Sequence, residues 1–535
     1  MTRVMIAWLS LATILLFDCG PIDAGEPGVR RREPVKQYRF IYNRDGCASY
    51  GKFDGDVEKW VEHEFSRLEG SAVDLVAWCF DGGNTAEYDS DILKNPGDAD
   101  LEDGYDLPDR DLNQTSFRRA YDALKKMIKE GNDPPNVIIK AARDRGMDIF
   151  VSYRMNDTHD SKGTFKNPKL PNPEFADFKR EHPEWLIGDM TYKTKYGNYF
   201  IHRGWSGLNF AVPEVRELKL AIIKEYFDKY DFDGIELDLT TQTPHFRPSY
   251  GYRNQYLMSD FLRSVRRALD RRGDERGRPI VVAAHVFESP IENELYGFDI
   301  KNWVQEGLID MLTIGRGNQQ MDLEAFHQIV DGSHVRIYPC VYRPDEGYDV
   351  ARGWASVYWQ QGVDGLYSFN WGYTDPPGQA ETIRDISDPT VLMHRDKTFR
   401  LEPGVHNPVY WKLHALLFNM LPVELHPTHS ETPLVLPLQI GDDLAKQKEM
   451  VQDLRLQIQL QNASGRDEVH VFVNGNDLGP GDWDGGSLAY RPDPAVFVPG
   501  ENHVAIRLVQ RDSQASSKKP IVIETLDLVV DYRDP

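Results

Sequence analysis

The feature that most constrains this chain is an alternation. Between residues 38 and 421, short β-branched or aromatic runs alternate with helix-period stretches, and the unit recurs eight times. The run 38–43 reads as the first strand, with Val57, Trp60, Val61, Phe65 and Leu68 on one helical face behind it. Strands are predicted next at 73–80, 148–153, 232–238, 280–286, 311–314, 335–341 and 365–369. Pro213 suits the first turn of the helix before the fourth strand, where its missing N–H leaves no bond unmade. Val409, Leu413, Leu416 and Leu417 give a last amphipathic helix. Strand–helix units in series demand a parallel sheet with crossover helices. Eight of them predict a (β/α)8 barrel, an α/β fold. A doubly wound open sheet is the rival, but it has fewer strands and a glycine-rich first turn. Asn43-Arg44-Asp45-Gly46 offers no GxGxxG.

The period changes after residue 421. Residues 422–437, rich in Pro, His and Thr, read as a linker. In 438–535, Leu454, Leu456, Ile458 and Leu460 alternate with polar residues, as do Val469, Val471 and Val473 before an Asn474-Gly475 turn. This predicts an all-β sandwich. It resembles the jelly-roll modules appended to secreted carbohydrate enzymes, which either bind glycan, with Trp483 and Tyr490 as candidate stacking residues, or brace the barrel. The chain of 535 residues thus divides into two domains.

Residues 1–24 carry the marks of an export signal: Arg3, an apolar run over 4–17 and an Ile22-Asp23-Ala24 cleavage site. The expected location is secreted or periplasmic. A lipid anchor at Cys19 is disfavoured, because Asp18 stands where a lipobox needs a small residue. Residues 25–37 read as a linker, and no later segment is long and apolar enough to span a bilayer. Removing the leader leaves Cys47, Cys79 and Cys340, with no zinc spacing. Cys47 and Cys79 could pair if their strands are neighbours; otherwise all three are small buried hydrophobes. The balance of 62 Lys+Arg against 84 Asp+Glu, net −22, argues against nucleic acid or anionic membranes as partners. It suits a neutral substrate. No oligomeric state and no cofactor is implied.

Two excursions, at about 81–116 and 156–211, follow strand C-terminal ends, where barrel active sites are built. The first is dense in Asp but misses the calcium-loop spacing, so a solvated acidic loop is expected. The chemistry centres on Asp233-Gly234-Ile235-Glu236-Leu237-Asp238. Alternation turns Glu236 and Asp238 to the barrel axis, and such carboxylates are expensive to bury unless paired or used. Asp238, the outermost, is the expected nucleophile or base, with Glu236 tuning a neighbour; a structural ion pair is the alternative for each. Acid–base chemistry with a carboxylate needs a second acid across the mouth. Glu288, past strand five, is the candidate, with Asp81, Asp157 and Asp299 behind it. The seventh strand carries no carboxylate.

The stretch 233–238, with Asn209-Phe210-Ala211-Val212-Pro213-Glu214-Val215-Arg216 and His182-Pro183-Glu184-Trp185-Leu186, resembles a bacterial group of glycosyl-hydrolase-like barrels, the glycosyl hydrolase-like ten type. The resemblance covers about 38–421. It implies a TIM-barrel glycoside hydrolase acting on a carbohydrate. The wider α-amylase-type and α-galactosidase-type barrels end strand four in a catalytic Asp within Gly-x-x-Leu-Asp, which Asp238 matches. The amylase-type likeness also implies an acid/base Glu near strand five, matching Glu288. This chain departs in having Leu239-Thr240-Thr241-Gln242 where an Arg is expected soon after the Asp.

The remaining rim suits sugar hydroxyls and ring faces: Asp81, Asp157, His159, His202, Arg203, His285, Arg316, Asn318, Asn370, Trp371 and Tyr373. Packing under a loop is the alternative for each. Two other functions stay open. One is a non-catalytic glycan-binding barrel. The other is a metal-dependent sugar isomerase using Asp157, Glu236, Asp238 and His285, although neither His-x-His on strand one nor HExxH is present.

Overall fold

The computed structural model describes residues 32–80, 83–96, 98, 111–112, 115–161, 175–188, 204–241, 244–247, 249–316, 318–341, 347–369, 371, 378–401, 420–426, 431–512 and 519–533. Eight parallel strands close into a barrel in chain order. They are β1 (Phe40–Asp45), β2 (Val73–Cys79), β3 (Asp148–Arg154), β4 (Gly234–Asp238), β5 (Val281–Val286), β6 (Met311–Ile314), β7 (Arg336–Val341) and β8 (Leu366–Ser368). The ring shuts with Phe40 opposite Leu366. All eight fall within or beside the predicted runs, and the open-sheet rival is excluded.

Two cores follow from strand alternation. Inside the ring sit Ile41, Leu75, Ala77, Phe150, Met311, Tyr338 and Tyr367. Between ring and helices sit the intervening residues, such as Phe40, Val76, Val151 and Ile235. The inner core fills the N-terminal half of the barrel only. Towards the C-terminal ends the inward positions turn polar: Asn43, Asp45, Ser152, Arg154, Glu236, Asp238, His285 and Thr313. Register aligns them, since Arg154, Asp238 and His285 lie opposite one another on β3, β4 and β5.

The second domain consists of β9 (Lys397–Leu401), β10 (Val423–Leu425), β11 (Leu434–Ile440), β12 (Val451–Gln461), β13 (Glu468–Val473), β14 (Asn476–Asp477), β15 (Asp482–Asp484), β16 (Ser487–Tyr490), β17 (Gly500–Gln510) and β18 (Ile521–Tyr532). One sheet runs β9-β18-β12-β16-β15, with β10 also on β18; the other runs β11-β17-β13-β14. Every pairing is antiparallel. The domain begins earlier than expected. β9 falls within the span read as barrel, and β10 and most of β11 fall within the span read as linker. Pro437 sits mid-strand opposite His503, which is possible because β11 is an edge.

The domains are packed together. An alanine methyl at Gly353, on the helix Tyr348–Gln360, would come within 2.0 Å of the Thr398 carbonyl oxygen. Beside it Lys397 Nζ donates to Asp442 (2.7 Å), which also accepts from Ser356 Oγ (2.5 Å) and the Tyr532 hydroxyl (2.6 Å). Residues 32–37 of the expected N-terminal linker are docked, not loose. Arg32 pairs with Asp270 at 2.5 Å, and the Val35 carbonyl accepts from Arg336 Nε. The leader (1–24), Cys19 and the predicted 409–417 helix lie outside the described residues. Among those described, no helix is long and apolar enough to cross a membrane.

Candidate active site

The polar end of the barrel is built in tiers. The lower tier centres on Glu236, which is 1 % exposed. Its Oε1 accepts from Asn43 Nδ2 (2.7 Å), Ser152 Oγ (2.7 Å) and the Tyr367 hydroxyl (3.2 Å), and its Oε2 from Thr313 Oγ1 (3.2 Å). These donors come from β1, β3, β8 and β6, so one carboxyl ties four strands across the axis. Burial raises its pKa, partly offset by the His285 charge.

One step up is Asp238. Its Oδ1 accepts from the Thr240 N–H (3.0 Å), the Thr240 hydroxyl (3.1 Å) and the Thr241 N–H (2.9 Å), and its Oδ2 from the Thr241 hydroxyl. His285 Nδ1 lies 3.4 Å from Oδ1, and His285 Nε2 donates to the Gly315 carbonyl (2.8 Å). Burial acts to raise the Asp238 carboxyl. His285, Arg316 and the Thr241 hydroxyl outweigh it and hold the group well below the usual carboxylate range. His285 is raised in turn: burial disfavours its charge, but Asp238 and Glu236 favour it more. The layer therefore contains a carboxylate kept ionised out of water. One expectation is corrected: Asp238 is not the residue a ligand meets first. It is 3 % exposed, and Arg316 Nη1 lies beside it, donating to the Thr240 and Thr241 carbonyls.

A second chain of charges runs from β1 to the surface. Asp45 pairs with Arg154, and Arg154 Nη1 donates to Asp157 Oδ2 (3.1 Å). The Asp157 carboxylate accepts from both the backbone N–H (2.7 Å) and Nδ1 (2.9 Å) of His159. Burial opposes ionisation of Asp157, but His159 and Arg154 drive its pKa far down. The bond engages Nδ1, and a third of the His159 side chain is open to solvent. The loop bearing these residues is anchored by Lys179 and Asp160, a fully buried pair at 2.6 Å, with Ser206 Oγ on the other oxygen of Asp160.

Glu288 enters after β5. It is fully enclosed. Its Oε1 accepts from the backbone N–H groups of Arg316 (3.1 Å) and Asn318 (3.3 Å). Among the described residues its buried Oε2 has no partner, and neither does either amide atom of Asn318. One oxygen is held by two backbone donors and the other is not.

The other expected residues separate clearly. Asp81, His202, Arg203, Asn370 and Tyr373 lie outside the described residues. Trp371 is not a stacking platform: it is fully buried, its Nε1 donates to the Val341 carbonyl (2.8 Å), and Phe40 and Tyr348 pack against it. A ring without an open face cannot stack on a sugar. Asp299 caps a short helix by accepting from the Asn302 N–H. Tyr490 is buried in the sandwich, so it offers no stacking surface, while Trp483 is half-buried on β15. In the acidic loop, Asp98 is bound to Lys125 (2.7 Å) and Tyr121 (2.7 Å). The sequence reading missed Asn43, Asp45, Arg154, Thr240 and Thr241. Alternation along β1 and β3 would have found the first three; the threonines act through the turn after β4, which no period reveals. The four residues considered for a metal isomerase do not converge. Among the described residues, the one set of three metal-type donors within 4.8 Å of one another is Asp45, Cys47 and Cys79.

No family profile and no curated protein matches the chain. Among solved structures it is similar to α-L-fucosidase isoenzyme 2 from Paenibacillus thiaminolyticus, with a TM-score of 0.39 and 13% identity over 73% of this chain and 52% of that one. The chain therefore spans about half the length of that enzyme. It is also similar to the PgaB (BpsB) glycoside hydrolase domain from Bordetella bronchiseptica, with a TM-score of 0.40 and 13% identity over 66% of this chain and 99% of that one. A third is the noncanonic maltogenic α-amylase AmyB from Thermotoga neapolitana, with a TM-score of 0.34 and 11% identity over 88% and 99% of the two chains.

Proposed function

We propose that this protein is a secreted glycoside hydrolase that cleaves O-glycosidic bonds of a polysaccharide or oligosaccharide with two carboxyl groups. One observation carries the reading. The C-terminal end of the barrel holds a carboxylate, Asp238, against His285, and the end of the next strand brings in a carboxyl, Glu288, with one oxygen fixed and one without a partner among the described residues. Glycoside cleavage needs such a division of labour: one carboxylate as nucleophile or base, one carboxylic acid protonating the leaving oxygen. Asp238 takes the first part. Its charge is maintained by His285 and Arg316, so it is ready at neutral pH. Glu288 takes the second part. Glu236 is a positioning residue, because both its oxygens are committed to the strands around it. His159, the solvent-facing end of the Asp45–Arg154–Asp157 chain, meets the sugar hydroxyls at the rim, with Arg316 beside the nucleophile.

The test is reducing-sugar release from a polysaccharide panel by wild type and Asp238→Asn, with glycan affinity measured in parallel. Release by wild type, abolished in a variant that still binds, supports the hydrolase. Binding without turnover by wild type on every glycan would make the barrel a glycan-binding module instead.

A further inference from the structure

At the mouth of the barrel, beside the charged chain, Cys47 Sγ and Cys79 Sγ lie 3.9 Å apart, with no disulfide between them. Local structure presents them to each other. Asp45 at the end of β1 is the ladder partner of Cys79 at the end of β2. Cys47 follows two residues later, and its two neighbours fix its position. A Cβ on Gly46 would come within 2.1 Å of Trp78 Nε1, so the chain can leave β1 pressed against Trp78 only because residue 46 is glycine. Ala48 adopts a left-handed φ of 57°, with its N–H donated to Glu87 Oε2 at 2.7 Å. A strained backbone held by a buried carboxylate holds Cys47 over Cys79.

The third donor of the cluster, Asp45, gives its carboxylate to Arg154. A cation there would have to compete with a guanidinium already in place. Disulfide formation needs no such exchange: each sulfur moves less than the present gap to reach bonding distance, roughly 2 Å. Cys340, the other cysteine among the described residues, is fully buried.

We propose that Cys47 and Cys79 are a disulfide site, closed when the protein meets a small-molecule or protein disulfide oxidant, as in the exported compartment expected of it. The half-buried Cys47 reacts first. Its thiolate attacks the oxidant's S–S bond, which breaks and releases one thiol. Cys79 then attacks the mixed disulfide, forming the Cys47–Cys79 bond and releasing the second thiol. The protein loses two electrons and two protons, and the oxidant gains both. The hydrogen bond to Cys79 and burial raise the Cys47 pKa, so the thiolate is scarce and the exchange quickens as pH rises. The bond would staple the turn after β1 to β2 and fix Asp45, and through it Arg154, at the mouth. This goes beyond the hydrolase reading and does not depend on it.

The full-length protein is incubated with oxidised glutathione, then alkylated and peptide-mapped without reduction. The expected product is one Cys47–Cys79 cross-linked peptide and a protein lighter by two hydrogen atoms. Its Tm is higher than that of the reduced protein, and dithiothreitol reverses the rise. Cys47→Ser, at the less buried position, folds but shows no rise. Recovery of both residues as alkylated thiols or as separate glutathione adducts overturns the proposal. So does stoichiometric zinc retained by the reduced wild type and lost in Cys47→Ser with no cross-link formed.

Discussion

Glu236 and Asp238 are two residues apart on one strand, and their surroundings give them different work. Glu236 accepts from four neutral donors and its burial is only partly offset by the His285 charge, so its charge is expensive and its geometry is what counts. Glu236→Gln keeps an oxygen for Asn43, Ser152 and Tyr367 and turns its amide to the Thr313 hydroxyl, which can accept. Its stability in urea should stay within about 1 kcal/mol of wild type. Glu236→Ala strands four buried donors and should lose about 3–5 kcal/mol. Asp238 instead shares a buried charge pair with His285. His285 is held above its ordinary pKa, so its contribution is complete below the unfolded value of about 6.5 and is lost as pH rises through the folded value. Asp238 is held below its own, so its contribution is complete above about 3.9 and is lost as pH falls through the folded value. The stability margin of wild type over His285→Gln should therefore be widest near pH 5 and narrow towards pH 9; an equal margin at both would contradict the pairing. At this scale the sequence revealed which residue types face the axis, because strand period fixes that. It did not reveal exposure. Trp371 reads as an aromatic past a strand end whether it lines a cleft or plugs a core. Asp238 reads as outermost until the Thr240-Thr241 turn folds back onto it.

The barrel strands were legible because each carries both a period and a bounded length. β9 was not. Its five residues carry the alternation Thr398, Arg400 against Phe399, Leu401, yet follow directly on barrel helices, so nothing local separates them from the first domain. β11 was masked by Pro437, which ordinarily argues against a strand and is tolerated here on an edge. The contact that places β9 is between elements: the helix Tyr348–Gln360 lies against it with Gly353 as the spacer. Gly353→Ala inserts a methyl where a backbone carbonyl stands at 2.0 Å. Although alanine favours helix, the variant should be destabilised by about 1–3 kcal/mol through overpacking, read as a lower Tm. A Tm equal to or above wild type would mean that the helix and β9 do not press together.

The two domains share a buried polar junction. Lys397 and Asp442 are buried where barrel and sandwich meet, and Ser356 from the barrel helix shares the same carboxylate. Ending the chain at residue 396 removes both charged partners and bares the helix face around Trp354. The shortened barrel should be recovered mainly as aggregate, and the intact protein should unfold in a single calorimetric transition. Two well-separated transitions would show that the junction is not cohesive. The net charge of −22 argues against a polyanionic ligand, and the mouth sets Arg154, Arg316 and His285 among its carboxylates. The most direct measurement is kcat on a glycan that the wild type cleaves, for Asp238→Asn and Glu288→Gln, with each variant's fold verified by circular dichroism. Both should fall by about a hundredfold or more, and Glu288→Gln should recover most on substrates whose leaving group needs no proton. Full activity in a folded Asp238→Asn protein would contradict the account.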